Sequence, residues 1–383
     1  MTGREQEILD ILRDEPLIAQ QALAERLGIS RAAAAGHIMQ LVRKGLVLGR
    51  GYVLAEQGFV LAIGAANMDI TGSSQHALVA HDSTPGQIRC APGGVARNVA
   101  ENLARLGHDV RLISAVGDDL FGARLLESTR RAGVDVQGCL VLDDQATSTY
   151  LSLHGPDGDM AMALNDMAIL EQITPERLAH GAARVRHARA VLVDCNLSEA
   201  ALGWIFGHAH ADAVFAEPVS AFKCRRLLPW LGQVHTLKAN RLEAQALTGL
   251  PVSDDAGLVL AALWLHQQGV RHVVLSLGER GVYWSAIGGP SGWQAALPAT
   301  MVNVTGAGDA MMAGLLHGHL CGDPLAQTIA FASGCAAMTL SAPQANHVSL
   351  SVAAVQQWVQ VHAGIDPSFS STSSSSFQEP TRS

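Results

Sequence analysis

The residues whose types and spacing most directly imply chemistry are Asn303-Val304-Thr305-Gly306-Ala307-Gly308-Asp309-Ala310. They open an apolar run that includes Met311, Met312, Leu315 and Leu316 at helical spacing. A helix N-terminus carries about half a positive charge and attracts anions. Gly306, Ala307 and Gly308 leave its backbone N–H groups uncovered, which suits phosphate oxygens that gain charge as a group is transferred. Asp309 falls in the first turn, where a carboxylate can take a proton from a hydroxyl as the phosphoryl group arrives. An isolated G-x-G-D would be read as a capped glycine loop. The full T-G-A-G-D-A, late in the chain and at the head of an apolar helix, favours an anion-binding turn with a proton acceptor.

A second segment, Pro92-Gly93-Gly94-Val95-Ala96-Arg97-Asn98, precedes another apolar helix. Gly93 and Gly94 let the backbone approach a ligand closely. Asn98, one turn in, offers both a donor and an acceptor to vicinal hydroxyls. By itself the segment fits a tight turn with a solvent-facing Asn equally well. No G-x-x-x-x-G-K-[ST] sequence is present, so any phosphate site must be built another way.

These segments need elements to position them. The chain has 383 residues, enough for two folded units. Apolar residues make up 48%, charged residues 16% and aromatics 4%, with 38 glycines, which favours Ala/Gly/Val/Leu-rich helices on a parallel sheet. Apolar strand runs at Phe59–Ala65, Val110–Val116, Ala190–Asp194, Ala213–Ala216, His235–Lys238 and His272–Leu277 alternate with helical patterns. Those patterns include Val95–Leu106, Leu120–Ala132, Ala256–Gln268, Ala307–Leu320 and Leu325–Leu340. Thr147–His154 and Met160–Asn165 read as a hairpin around Gly155-Pro156-Asp157-Gly158, suited to a lid. Residues 364–383 form a Ser-rich, low-complexity tail read as disordered.

The net charge of −8 makes the whole chain an unlikely polyanion binder. Cys90, Cys139, Cys195, Cys224, Cys321 and Cys335 form no C-x-x-C or zinc spacing and read as reduced thiols. There is no signal-peptide pattern and no apolar run near the roughly 20 residues of a membrane span. A cytoplasmic address without membrane contact is expected.

Taken together, the two glycine segments resemble the signatures of the ribokinase-like (PfkB) carbohydrate and nucleoside kinases, over about residues 58–360 of a domain expected to span 58–363. The resemblance implies a Rossmann-type parallel sheet flanked by helices, with a small β-lid over the acceptor. It also implies ATP and Mg2+ as cofactors, Asp309 as base and Gly306, Ala307 and Gly308 as the anion-binding turn. Asn67, Asp69, Gly93, Gly94 and Asn98 would bind the sugar. Asn240-Arg241-Leu242-Glu243 matches an N-x-x-E motif, in which Glu243 organises the metal through water. Asn240, Ser276, Gly278, Gly281 and Thr305 would line the ATP site.

Within the family the likeness is greatest to the pseudouridine kinases, through Ala66-Asn67-Met68-Asp69-Ile70, the G-G-V-x-R-N form and Ser148-Thr149-Tyr150-Leu151-Ser152. Asn165-Asp166-Met167, Asp194-Cys195-Asn196-Leu197-Ser198 and His235-Thr236-Leu237-Lys238 match as well. Thr149 and Asn165 would then face the base. Ala96, Ala239, Glu217 and Asn303 depart from the pattern: Gly, Pro, Asp and Asp respectively are commoner there. The Glu217 carboxylate is displaced by about one methylene, and Asn303 leaves a monovalent-cation requirement open.

Residues 1–56 read as a winged helix-turn-helix. Ile8, Leu9, Ile11 and Leu12 stripe a first helix ended by Pro16, and Leu23, Ala24 and Leu27 mark a second. Gly28-Ile29-Ser30 turns into a third helix reaching about Lys44, and residues 45–54 form a wing. The first 55 residues carry a net +1, against −9 for the remainder. Arg31, His37, Arg43, Lys44 and Arg50 are the candidate DNA contacts. Tight operator binding would call for a homodimer. Three readings stay open: a kinase that also regulates transcription, a transcription factor whose kinase-like part senses a ligand, or a kinase for another sugar or ribonucleoside.

Overall fold

The computed structural model describes residues 2–47, 58–209 and 214–362. The chain divides into two compact units, Met1–Gly58 and Phe59–Ser383.

The first unit holds three helices, α1 (Gly3–Asp14), α2 (Gln20–Arg26) and α3 (Arg31–Arg43). Ile8, Leu9 and Leu12 of α1 pack with Leu23, Leu27, Ile38 and Leu41 in one core. Thr2 and Glu5 form a capping box at α1, and the Ser30 hydroxyl accepts from the Ala33 N–H at 3.1 Å to start α3. Gly28 turns the chain between α2 and α3 with φ 63°. Arg31 and Arg43 are exposed on α3 and His37 is half-buried. Lys44, expected to contact phosphate, is paired with a carboxylate. Its ammonium lies 2.7 and 2.8 Å from the oxygens of Glu5, a residue only 1% exposed. A carboxylate that buried needs a counter-charge, and Lys44 supplies it. Arg50, most of the wing and the Ser-rich tail lie outside the described residues.

The second unit is built on β1 (Val60–Ile63), β4 (Val110–Ile113), β9 (Ala190–Asp194), β10 (Val214–Glu217), β11 (Thr236–Asn240), β12 (His272–Ser276), β13 (Val282–Ala286) and β14 (Ser291–Gln294). They form one sheet ordered β14-β13-β12-β11-β10-β9-β1-β4. All neighbours from β12 to β4 are parallel, and β13 and β14 add an antiparallel edge. Every residue of β1 and β9 is buried, as expected of strands covered on both faces. Alternation then divides the core in two. Leu61, Ile63, Val191 and Val193 face α8 (Glu199–His208), α9 (Arg241–Thr248) and α10 (Asp255–Gln267). Val60, Ala62, Ala190 and Leu192 face α4 (Val95–Arg105), α5 (Leu120–Arg131) and α11 (Ala307–Cys321). Short helices α6 (Pro175–Ala179) and α7 (Ala182–His187) precede β9. Helices α12 (Leu325–Leu340) and α13 (Val352–His362) close the unit. No helix among the described residues is long and apolar enough to cross a membrane.

The strand expected over Val110–Val116 is broken at Ser114. Its first part is β4; the rest, β5 (Ala115–Gly117), pairs instead with β6 (Leu140–Leu142). A separate four-stranded sheet, ordered β3-β2-β7-β8, comprises β2 (Asn67–Ser73), β3 (Gln87–Gly93), β7 (Thr149–His154) and β8 (Met160–Asp166). The expected hairpin is thus half of a larger lid.

Helix α11 packs closely on α12 because two glycines leave room. A Cβ on Gly314 would lie 2.5 Å from the Ala332 Cα, and one on Gly318 would run into Thr328. Gly314→Leu is expected to push the two helices apart and cost about 1–3 kcal/mol or more, read as a lower midpoint in thermal unfolding.

Candidate active site

The site assembles where strand order reverses, between β1 and β9, at the carboxyl ends of the parallel strands. Asp194 ends β9 and is fully buried. Its Oδ2 accepts from the Ala65 N–H at 2.8 Å and the Ala96 N–H at 3.2 Å, and its Oδ1 from the Asn196 N–H at 2.9 Å. One carboxylate therefore ties the β1 exit to the first turn of α4. Burial still pushes its pKa up. Gly64 has no side chain because the Asp194 carboxylate fills that space.

Gly94 stands at the N-terminus of α4 with φ 98°, and a Cβ there would sit 2.5 Å from the Ala65 carbonyl oxygen. Gly93 has the Asp69 carboxylate where its Cβ would be. Both glycines are required by close approach. Asn67 donates to the Asp69 Oδ1 at 2.7 Å, while burial raises the Asp69 pKa.

Helix α11 begins at Gly306, which has φ 85° and no room for a Cβ against the Ala345 carbonyl. Asp309, 9% exposed, follows in the first turn. Its Oδ2 accepts from the Asn98 Nδ2 at 2.7 Å, joining the heads of α11 and α4. Burial pushes the Asp309 carboxyl up to about 6, against the pull of Asn98, Lys238 and Arg97. A carboxyl there is ionised at neutral pH yet basic enough to accept a proton.

Lys238 lies beneath the turn. A Cβ on Gly308 would approach its Nζ to 2.9 Å. Its ammonium contacts both oxygens of Glu217, at 2.8 and 2.9 Å, and both residues are 5% exposed. Burial works against the charged lysine, but Glu217, Asp309 and Glu243 outweigh it and hold its pKa above the usual range. Asn240 and Glu243 cap α9 reciprocally: the Asn240 N–H donates to the Glu243 Oε2 at 2.8 Å, and Glu243 N–H to the Asn240 Oδ1 at 2.9 Å.

Beside the turn lies a cavity of about 570 Å3 lined by Ser276, Gly278, Gly281, Ala307 and Gly308. Apolar lining comes from Leu297, Pro298, Met301 and Val304, with Ser333, Ala336 and Ala337 of α12. This second part of the wall had no motif to announce it; the small residues at positions 333, 336 and 337 of an apolar helix were the available signal. Thr305 and Asn240 are exposed and are not among the cavity's lining residues.

The two lid residues expected to face a substrate base point opposite ways. Asn165 pairs with Tyr150, which pairs with Asp69, so these three share a face. Thr149 pairs with Met68 and lies on the other face. Tyr150 was passed over by sequence reasoning, although strict alternation from Asp69 identifies it once β2 and β7 are paired.

Residues 57–352 match the family model for pfkB family carbohydrate kinases. The chain belongs to the pfkB family of carbohydrate kinases. Residues 1–47 of this pfkB kinase match a winged helix-turn-helix DNA-binding model. It is 46% identical to the pseudouridine kinase of Escherichia coli (strain K12) over 307 residues, covering 80% of this chain and 98% of that one. It is 44% identical to the uncharacterized sugar kinase YeiI of the same strain over 351 residues, covering 92% and 97%. Among solved structures, a putative sugar kinase from Clostridium perfringens superposes with a TM-score of 0.70 at 27% identity, covering 80% of this chain and 97% of that one. Arabidopsis thaliana ribokinase, solved with ribose and ATP, shares the fold with a TM-score of 0.69 at 19% identity, covering 79% and 99%. This pfkB kinase is thus a phosphotransferase acting on a hydroxyl of a sugar or nucleoside.

Breaking the buried pair beneath the turn should be costly, and removing both charges much less so. Lys238→Met is expected to lose about 3–5 kcal/mol, and Lys238→Met with Glu217→Met to recover most of it. Urea denaturation monitored by tryptophan fluorescence checks both.

Proposed function

We propose that the protein is an ATP-dependent kinase that phosphorylates the 5′-hydroxyl of pseudouridine, with Asp309 as general base. The observation that carries the reading is the 2.7 Å hydrogen bond from Asn98 to a buried Asp309, at the head of α11 and beside the cavity. The acceptor hydroxyl meets Asp309, which takes its proton as the oxygen attacks the γ-phosphorus and the bond from that phosphorus to the bridging oxygen breaks, releasing ADP. The N–H groups of the Gly306–Gly308 turn receive the charge that develops on the phosphoryl oxygens. Asp69, oriented by Asn67, and the second N–H of the Asn98 amide hold the sugar hydroxyls. Tyr150 and Asn165, on the same lid face as Asp69, lie toward the base. Identity of 46% to a pseudouridine kinase supports this acceptor; the sugar kinase YeiI at 44% keeps another sugar or ribonucleoside as the second reading.

ATP fits the cavity beside the turn, with Ser276, Gly278 and Gly281 along its wall. Among the described residues no cluster of three His, Cys, Asp or Glu can cage a metal. Glu217 gives both oxygens to Lys238, whereas Glu243 spends one on its helix cap. That donor set would suit Mg2+, which binds proteins through few carboxylates, and Glu243 is the residue that would hold it, through water. Bound there, the ion would neutralise phosphate charge.

Asp309→Asn is expected to retain nucleotide binding and to lower kcat by about 10²–10⁴. In the unmodified enzyme kcat should fall as pH drops through about 6, because the base is active only when ionised. ATP consumption with pseudouridine, uridine, ribose and no acceptor tests the substrate. Turnover on ribose or uridine instead of pseudouridine would move the assignment to the second reading.

The first unit is proposed to bind DNA as a dimer through α3. Arg31→Ala with Arg43→Ala should weaken binding to a mixed-sequence duplex and flatten its salt slope by about two. Fluorescence anisotropy across a salt series measures this. Wild-type protein that gives no anisotropy rise even at low salt would end the DNA reading.

A further inference from the structure

Arg97 carries no solvent exposure and touches neither the cavity nor the anion-binding turn. A guanidinium has only donors, so burying one demands a full set of acceptors. The set here is unusual in what it joins. Nε donates to the Gly93 carbonyl at 2.7 Å and Nη1 to the Glu101 carboxylate at 2.6 Å. Nη2 donates to the Asn98 Oδ1, to the Asn346 Oδ1 at 2.7 Å and to the Pro92 carbonyl at 3.2 Å. Asn346 in turn donates from Nδ2 to the Asn98 carbonyl at 2.9 Å.

A primary amide can present either its oxygen or its NH2 to a neighbour. The donor-only guanidinium removes that choice for Asn98: the oxygen must face Arg97, so the NH2 must face Asp309. The same rule fixes Asn346. We propose that Arg97 is a positioning residue that locks the Asn98 side-chain amide with its NH2 toward Asp309, so that the carboxylate is held ionised and aimed. The inference rests on the reading of Asp309 as base. Without Arg97 the Asn98 amide can turn and set its oxygen against the carboxylate, which favours the protonated form.

The charged groups bearing on Asp309 come from several elements. Lys238 on β11 and Arg97 on α4 favour its carboxylate; Asp194 on β9 and Glu217 on β10 oppose it. A lysine at position 97 keeps the positive charge on α4 but has no planar fork to span Gly93, Glu101, Asn98 and Asn346. Arg97→Lys therefore separates orientation from charge.

The experiment is the pH profile of kcat from pH 5 to 9, with ATP, magnesium and pseudouridine, or whichever acceptor the substrate panel returns. In Arg97→Lys the acid limb should move upward, so that kcat is depressed about tenfold more at pH 6 than at pH 8.5, relative to wild type. Adding Arg97→Lys to Asn98→Ala should produce no further selective loss at low pH, because the amide to be oriented is gone. Asn346→Ala, which removes one of the guanidinium's acceptors and leaves Arg97 in place, should show the same low-pH loss in weaker form. It carries the test if Arg97→Lys does not fold. A loss that is uniform across pH in both single variants, or one that persists undiminished in Asn98→Ala, overturns the role of Arg97 alone. Turnover that survives in Asp309→Asn, or a wild-type profile without an acid limb, overturns the base assignment and this inference with it.

Discussion

A carboxylate can be buried only where donors reach it, and the site is organised around satisfying Asp309. Its position at the head of α11 places it near unpaired N–H groups, and its near-complete burial demands more than those. Asn98 meets the demand from the head of a second helix. That single contact obliges α4 and α11 to converge with both N-termini at one point. Asp194 repeats the device one strand away, receiving N–H groups from Ala65, Ala96 and Asn196. Two inward carboxylates thus fix two helix ends and a strand exit relative to each other.

The cations serve the same geometry. Lys238 with Glu217, and Arg97 with Glu101, are ion pairs taken out of water. Such pairs are weak evidence for stability, since their mutual attraction is spent against desolvation. Their yield here is placement. Lys238 occupies the space under Gly308, and its charge is already matched before any nucleotide arrives. The Gly306–Gly308 turn, if it binds phosphate as proposed, would therefore rely on backbone dipoles, whose positions are set by the fold.

Much of this was legible in the sequence, and the failures have physical causes. Strand Ala190–Asp194 was readable because a strand buried on both faces is a continuous apolar run. Strand β3 was not, because Gln87–Gly93 has a single fully buried residue and carries no apolar alternation. The edge strand Ser291–Gln294 was hidden for the same reason. The break at Ser114 is marked by neither glycine nor proline; it shows only once β5 finds β6. The glycine turns declared their positions, since close approach and positive φ admit few alternatives. Thr149 and Asn165 were placed on one face, and the sheet puts them on opposite faces, because parity is known only relative to a partner strand. Arg97 was visible as part of a motif, but Asn346, which accepts from it, lies 249 residues away.

The lid sheet grows directly out of the residues proposed to grip the acceptor. Strand β2 starts at Asn67 and β3 ends at Gly93, and these two pair with each other. A lid attached by separate hinges could open and shut over a site that stays intact. This one is continuous with its grip, so the angle of the sheet and the placement of Asp69 are one variable. A molecule too small to bridge Asp69 and the lid strands has no means of fixing that angle. Water is such a molecule, and it is the competitor that any kinase must refuse. If Asp69 grips the acceptor as proposed, the continuity of β2 and β3 with that grip would give the fold a built-in brake on wasteful ATP hydrolysis, acting before any bond is broken.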